Sequence, residues 1–335
     1  MDYSNLDVLV TGADGFIGSH LTERLVQCGA KVTALSLYNS FDRHGWLDDI
    51  PPATRSKLNL IRGDVRDAAF VRRIVQHQDV VFHLGALISI PYSYTAPQSY
   101  VETNILGTLN VLDAAREAKV GRIVHTSTSE VYGTAQTMPI AESHPLHGQS
   151  PYSASKIGAD AMAEAYARSF DLPVAILRPF NTYGPRQSER AIIPTIIRQA
   201  LDPSCATIRI GDPSPVRDFT FVADTVEAFL ALGSSPHIEF GVPHNAGTGI
   251  SVTVQEALDL ILKLSGCGKP VEYDPQRLRP SKSEVRALLA DSSKLAAVAG
   301  WHASVKLQDG LERTIHWWRE RLSGGMVRRQ MEYMA

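Results

Sequence analysis

Val8-Leu9-Val10-Thr11-Gly12-Ala13-Asp14-Gly15-Phe16-Ile17-Gly18-Ser19-His20 carries an apolar strand pattern straight into a helix start. Three glycines mark the joint. Gly12 permits a tight turn, Gly15 lets backbone approach a pyrophosphate, and Gly18 lets helix and strand pack closely. The helix opening at Phe16 and Ile17 presents unpaired N–H groups and a positive dipole end to an anion. A glycine triplet alone is a weak signal. Here an alternating strand pattern, Lys31 to Leu37, follows the helix, which is the setting a dinucleotide-binding turn requires. Gly12, Gly15, Phe16, Ile17 and Gly18 are therefore the first candidates for holding a cofactor.

Outward from this turn the pattern repeats. Strand-like runs recur at Leu6–Thr11, Lys31–Leu37, Leu58–Ile61, Asp79–Leu84, Arg122–Thr126 and Val174–Arg178. Helical patterns separate most of them, at Ile17–Cys28, Ala68–His77, Tyr100–Ala118 and Tyr152–Phe170. Alternating β and α with short turns predicts an α/β fold, a doubly wound parallel (Rossmann) sheet with helices on both faces. The strands are rich in Val, Ile and Leu, as expected when both faces are covered. After Pro179 prolines break the regularity. A helix (Ala223–Leu232) and a strand-like His244–Ala246 then resume it. The expectation is a dinucleotide-binding domain over 1–180 with a return segment at about 218–248. A smaller α/β substrate-binding lobe takes 181–217 and 249–325, and 326–335 is a peripheral tail.

Bulk properties narrow the function. The 335 residues carry a net charge of −2, so no nucleic-acid-coating surface is implied. No run of about 18 apolar residues exists, so no membrane span is expected. A first strand beginning by Leu6 leaves no room for a signal peptide. Three distant cysteines, Cys28, Cys205 and Cys267, read as reduced thiols of a cytoplasmic protein. His144 and His147 sit in a proline-containing loop, and no metal site is read there.

Chemistry enters with Tyr152 and Lys156, four apart near a helix start and so on one face. The pair alone is weak. Its place is informative, one strand and loop after Thr126-Ser127-Thr128-Ser129-Glu130-Val131-Tyr132-Gly133. That loop leaves a strand at the carboxyl edge of the sheet, where doubly wound folds bind ligands. A phenol titrates near 10, too high for a base at neutral pH. A nearby ammonium and a positive nicotinamide would favour phenolate. Tyr152 can then take a sugar hydroxyl proton while Thr128 bonds the same hydroxyl.

These motifs, together with Arg178-Pro179-Phe180-Asn181-Thr182-Tyr183-Gly184-Pro185, resemble the extended short-chain dehydrogenases, the NAD-dependent epimerase/dehydratase family acting on nucleotide sugars. The resemblance runs from about Leu6 to about Arg321. Thr128-Ser129-Glu130 is similar to the sugar 4,6-dehydratases, including GDP-mannose 4,6-dehydratase. It implies that Glu130 removes the C5 proton, with Ser129 assisting, as the C6 hydroxyl leaves. Many dTDP-glucose dehydratases have aspartate where this chain has Ser129, so the acid for the departing hydroxyl is open. UDP-glucuronate decarboxylases share the loop, and 4-epimerases share the rest. Tyr38-Asn39-Ser40-Phe41 and Ile88-Ser89-Ile90-Pro91-Tyr92-Ser93 resemble the legionaminic-acid-pathway dehydratases, which implies GDP-N-acetylglucosamine as substrate.

The residue ending the second strand sets ribose preference in such folds. It is Ser36, with no acid beside it, so NAD and NADP both stay open on that residue, and the resemblance favours NAD. The resemblance places Asp64 and Val65 at the adenine. It sets Leu84, Gly85, Ala86 and Pro179 against the cofactor. Asn181, Ile193, Arg217, Arg279 and Glu284 fall on the nucleotide sugar, the arginines suiting a diphosphate. A homodimer is also implied. A non-catalytic dinucleotide-binding sensor or scaffold is the rival from another class, and the retained Tyr–Lys pair speaks against it.

Overall fold

The computed structural model describes residues 2–278, 280 and 282–325; Arg279 and the tail at 326–335 lie outside the described residues. Its centre is a seven-stranded sheet of β1 (Asp7–Thr11), β2 (Lys31–Leu37), β3 (Asn59–Gly63), β4 (Val80–His83), β5 (Arg122–Thr126), β6 (Val174–Pro179) and β7 (Pro243–Ala246). The order across the sheet is β7-β6-β5-β4-β1-β2-β3, and every pairing is parallel. This is the expected doubly wound α/β class. The return strand, β7, lies beside β6 with His244 opposite Leu177.

The strand composition follows from burial on both faces. Val8 and Val10 of β1 join one apolar cluster with Val32, Phe82, Val124 and Leu177. Leu9, between them, joins the opposite cluster with Leu35, Val81, Ile123 and Ile176. Side chains alternate across a strand, so covering both faces demands apolar residues throughout. Burying each such side chain stabilises the fold by about 1.5–3 kcal/mol. The first cluster continues into the last helix, Leu307–Ser323, through Leu311, Ile315 and Trp318. Late chain segments therefore share the core of the first strands.

The order in which strands are added reverses between β1 and β4, and crevices open at such switch points. The glycine turn after β1 and the Leu84-Gly85-Ala86 segment after β4 meet there. The Pro151–Phe170 helix starts sharply, with Ser150 and Ser153 forming a reciprocal cap and Pro151 in the first turn. These devices fix the first turn of the helix, where Tyr152 lies.

Two expectations need correction. The helical pattern at Tyr100–Ala118 is three pieces: Pro97–Tyr100, a π-helical turn at Val101–Leu106, and Gly107–Ala118. Asn104 explains the turn's role: its amide accepts from Leu87 N at 2.8 Å, and Nδ2 donates to Leu87 O and Ser155 Oγ, both at 2.9 Å. A π-turn inserts a residue, and such turns recur at functional sites. The second half also holds strands the pattern did not reveal. Asn181–Tyr183 pairs with Phe219–Phe221, Ile208–Ile210 with Val271–Tyr273, and Val216–Arg217 with Val252–Thr253. Strands of two or three residues are too short to carry periodicity.

Candidate active site

At the switch point the glycine turn and the end of β4 are in contact. The Thr11 hydroxyl accepts from Leu84 N at 3.1 Å and Gly85 N at 3.0 Å. Gly12 has φ +66°, and a Cβ added to it would stand 2.8 Å from Gly85 N. A Cβ on Gly18 would strike the carbonyl of Gly12. No side chain caps the helix that begins at Phe16, after Gly15. Its first N–H groups and dipole are left for an anion. The cradle is one that side chains would fill, so a dinucleotide pyrophosphate fits it.

The neighbouring candidates are placed as follows. Val65 is buried, and its Cγ2 would lie 2.8 Å from a Cβ on Gly107. The Asp64 carboxylate is held by Arg66, with Nη2 to Oδ2 at 2.6 Å, and that bond holds its pKa low. Asp67, not Asp64, caps the following helix by accepting from Phe70 N at 3.0 Å. Ser36 is fully buried, and its hydroxyl donates to Ile61 O at 3.2 Å and meets His44 Nδ1 at 2.9 Å. That hydroxyl is committed within the protein. Pro179 ends β6, where Phe180 N donates to Ala246 O at 2.9 Å.

Across the crevice, Tyr152 is buried and packs edge-on against Tyr100 at 6.3 Å between ring centroids. Burial pushes its phenol up; a hydrogen bond with Thr128 pulls it down, and the charge of Glu130 raises it again. These three groups therefore share one environment. Lys156 is also buried and donates from Nζ to Thr126 O at 2.5 Å. Burial brings its pKa down to about 8, opposed by Asp160. Thr128 starts the Ser129–Tyr132 turn, accepting from Glu130 N at 3.3 Å, and Ser129 is buried beneath.

Sequence reasoning missed the network under this pair. Asp160, one helical turn beyond Lys156, is fully buried. Its Oδ2 accepts from Ser127 Oγ at 2.6 Å, Arg178 Nε at 3.1 Å and Arg178 Nη2 at 3.0 Å. Its Oδ1 lies 3.2 Å from His125 Nε2. Burial would raise the carboxyl; the bond with His125, the Arg178 charge and the Ser127 bond overcome it and hold the pKa at about 2. Asp160 thus grips residues 125 and 127, on either side of the carbonyl that Lys156 binds. Arg178 extends the chain to Tyr132 Oη at 3.0 Å, which donates to Asn245 Oδ1 at 2.7 Å. The available signal was the acid four residues past Lys156, on the same helix face.

A cavity of about 390 Å³ adjoins this region, lined by Glu130, Asn181, Ile193, Arg217 and Glu284 among others. Five candidates scattered over 155 residues of chain (130 to 284) thus converge. Arg217 is buried and pairs with Glu284 at 3.0 Å. Gln187, Arg190, Arg277 and Arg286 also line the cavity and were not anticipated. Asn181 Oδ1 is buried without a hydrogen-bond partner among the described residues. Thr128, Tyr152, Lys156 and the glycine turn are not part of this lining. Glu130 joins the two regions. Among the described residues, no cluster of His, Cys, Asp and Glu could hold a metal ion, and no helix is long and apolar enough to cross a membrane.

A doubly wound sheet with a glycine turn at its switch point and a Tyr–Lys pair across from it defines the extended, NAD-dependent epimerase/dehydratase type of short-chain dehydrogenase. The chain belongs to the family described as GDP-mannose 4,6 dehydratase, whose model matches residues 9–314. It is 33% identical over 318 residues to a UDP-glucose 4-epimerase of Mycolicibacterium smegmatis, covering 93% of this chain and 98% of that one. It is 32% identical over 323 residues to a dTDP-glucose 4,6-dehydratase of an Actinoplanes species, covering 94% and 98%. Among solved structures, MoeE5 in complex with UDP-glucose and NAD superposes with a TM-score of 0.82 at 33% identity, covering 94% of this chain and 99% of that one. The chain is therefore an enzyme of the nucleotide-sugar dehydratase and epimerase class.

Proposed function

We propose that this chain is an NAD-dependent nucleotide-sugar 4,6-dehydratase. The carrying observation is Glu130: it lines the cavity together with Asn181, Arg217 and Glu284, and its charge is felt by the Tyr152 phenol. A base at C4 beside a carboxylate at C5 is what water elimination needs and epimerisation does not. A bound nicotinamide would supply a hydride acceptor for C4 and a hydride donor for C6. Gly12, Gly15, Phe16, Ile17 and Gly18 would hold its pyrophosphate; Asp64, Val65, Leu84, Gly85, Ala86 and Pro179 would border the rest of the cofactor. The solved complex of MoeE5 contains NAD, which supports that choice.

Tyr152 takes the C4 hydroxyl proton, Thr128 orients that hydroxyl, and the Lys156 ammonium favours the phenolate. Glu130 then removes the C5 proton and passes it to the departing C6 hydroxyl, with Ser129 assisting; as hydride returns to C6, C5 regains a proton from solvent, balanced by the one Tyr152 releases. Arg217 and Arg279 bind the diphosphate, the latter lying outside the described residues. Asn181, Ile193 and Glu284 contact the nucleoside and sugar, within a lobe formed by 181–217 and 249–325. The substrate in this reading is GDP-N-acetylglucosamine, and the enzyme acts as a homodimer.

Incubation with GDP-, UDP- and dTDP-sugars tests the reading, with products weighed by mass spectrometry. The expected product has lost one water. An unchanged mass means epimerisation, supported by the Mycolicibacterium relative, and loss of carbon dioxide means decarboxylation. Glu130→Gln should keep nucleotide-sugar binding and lose at least about 100-fold in turnover. Unimpaired turnover refutes the assignment.

A further inference from the structure

Dinucleotide folds generally meet the adenosine ribose with an acid at the end of the second strand. This chain has Ser36 there, with its hydroxyl taken by Ile61 O and His44 Nδ1. A carboxylate nevertheless stands at that strand end. It comes from the glycine turn: Leu37 N, at the tip of β2, donates to Asp14 Oδ2 at 3.2 Å.

The placement is held by backbone. Trp46 N donates to Asp14 O at 3.1 Å, and a Cβ on Gly45 would approach Asp14 Cβ to 2.9 Å. The 45–46 segment thus closes on Asp14 from one side while Ala13 and Gly15 flank it in sequence. The backbone N–H groups of Leu37 and of Asp14 itself use two acceptor sites of this carboxylate; a carboxylate has about four such sites. Each guanidinium nearby already has a carboxylate partner, Asp48 serving two of them. Arg62 pairs with Asp42 and also donates to Asp42 O at 3.1 Å. Arg43 and Arg55 both pair with Asp48, at 2.9 and 3.0 Å. No unpaired guanidinium at this strand end is left to receive a phosphate, among the described residues.

We infer that Asp14 replaces the missing strand-end acid: its carboxylate accepts the adenosine ribose hydroxyls and repels a 2′-phosphate, so it selects NAD over NADP. The inference rests on the dinucleotide reading proposed above. An acid from the glycine turn can stand in for one ending β2 because the turn and the tip of β2 meet, with Leu37 N bonded to Asp14 Oδ2.

Titration of ligand-free protein with NADH and with NADPH, followed by nicotinamide fluorescence, tests this without any sugar chemistry. Wild type should bind NADH at least about tenfold more tightly than NADPH, the scale of one charge-assisted hydrogen bond. Asp14→Asn keeps an amide oxygen for Leu37 N but removes the charge. It should weaken NADH about tenfold, strengthen NADPH, and bring the ratio near one. Asp14→Ser should do the same, and circular dichroism confirms that both variants fold. An unchanged NADH/NADPH ratio in the folded variants, or a wild type that prefers NADPH, overturns the role of Asp14. A wild type that binds neither nucleotide overturns the dinucleotide reading itself.

Discussion

Asp160→Asn should destabilise this protein more than any change at its cavity wall. Two effects can be weighed. The Asp160 carboxyl falls from 3.8 to about 2 on folding, and each pKa unit is worth about 1.4 kcal/mol. Linkage alone is thus about 2 kcal/mol. Its sign is fixed: the folded pKa is depressed, so this stability is present above pH ~4 and is lost as pH falls through ~2. The second effect is larger. Asparagine keeps an amide oxygen but not the charge, so the Arg178 guanidinium is left buried without its counter-ion. Breaking a buried pair from one side costs about 3–5 kcal/mol. At about 2–4 °C per kcal/mol for a large domain, the midpoint of thermal unfolding at pH 7 should fall by about 6–20 °C. Replacing both partners, as in Asp160→Asn with Arg178→Met, should recover part of that loss because no bare charge is left. Differential scanning calorimetry reads both variants. A shift below about 2 °C for Asp160→Asn, or a double variant no better than the single one, would refute the account of a buried pair holding β5, β6 and the Tyr–Lys helix together.

Two further outcomes follow from the same geometry. Burial sets the Lys156 pKa at about 8, so the pH profile of kcat/KM should descend through pH ~8 as the ammonium deprotonates; a profile flat to pH ~10 would contradict its role beside Tyr152. Gly12→Ala places a Cβ against Gly85 N at φ +66°, and should weaken NADH at least about tenfold as well as costing about 1–2 kcal/mol of backbone strain. Gly266→Ala is the control, because φ is +70° there with nothing within 4 Å; equal losses of NADH affinity in the two would refute the cradle.

What was readable in the chain was whatever is written locally. The glycine spacing from Gly12 to Gly18, the apolar strand runs and the Tyr152–Lys156 interval each span fewer than ten residues, so backbone geometry turns them into shape without reference to the rest of the fold. Those features were enough for the parallel sheet, its switch point and the face carrying the phenol. Asp160 was within the same reach, four residues past Lys156, but its partners were not. Ser127 follows β5 and Arg178 lies on β6, and their meeting with it depends on sheet order.

Sequence by itself therefore determined the doubly wound class and which residue types stand at the glycine turn and on the Tyr–Lys helix. Tertiary structure alone decided that Glu130 would share a cavity with Arg217 and Glu284, that Asp14 would stand where Ser36 cannot serve, and that Asp160 would be buried against Arg178. The reason is physical. Helix and strand periodicity are encoded between neighbours, whereas the convergence of distant side chains is set by how whole elements pack, and one chain position carries no record of that.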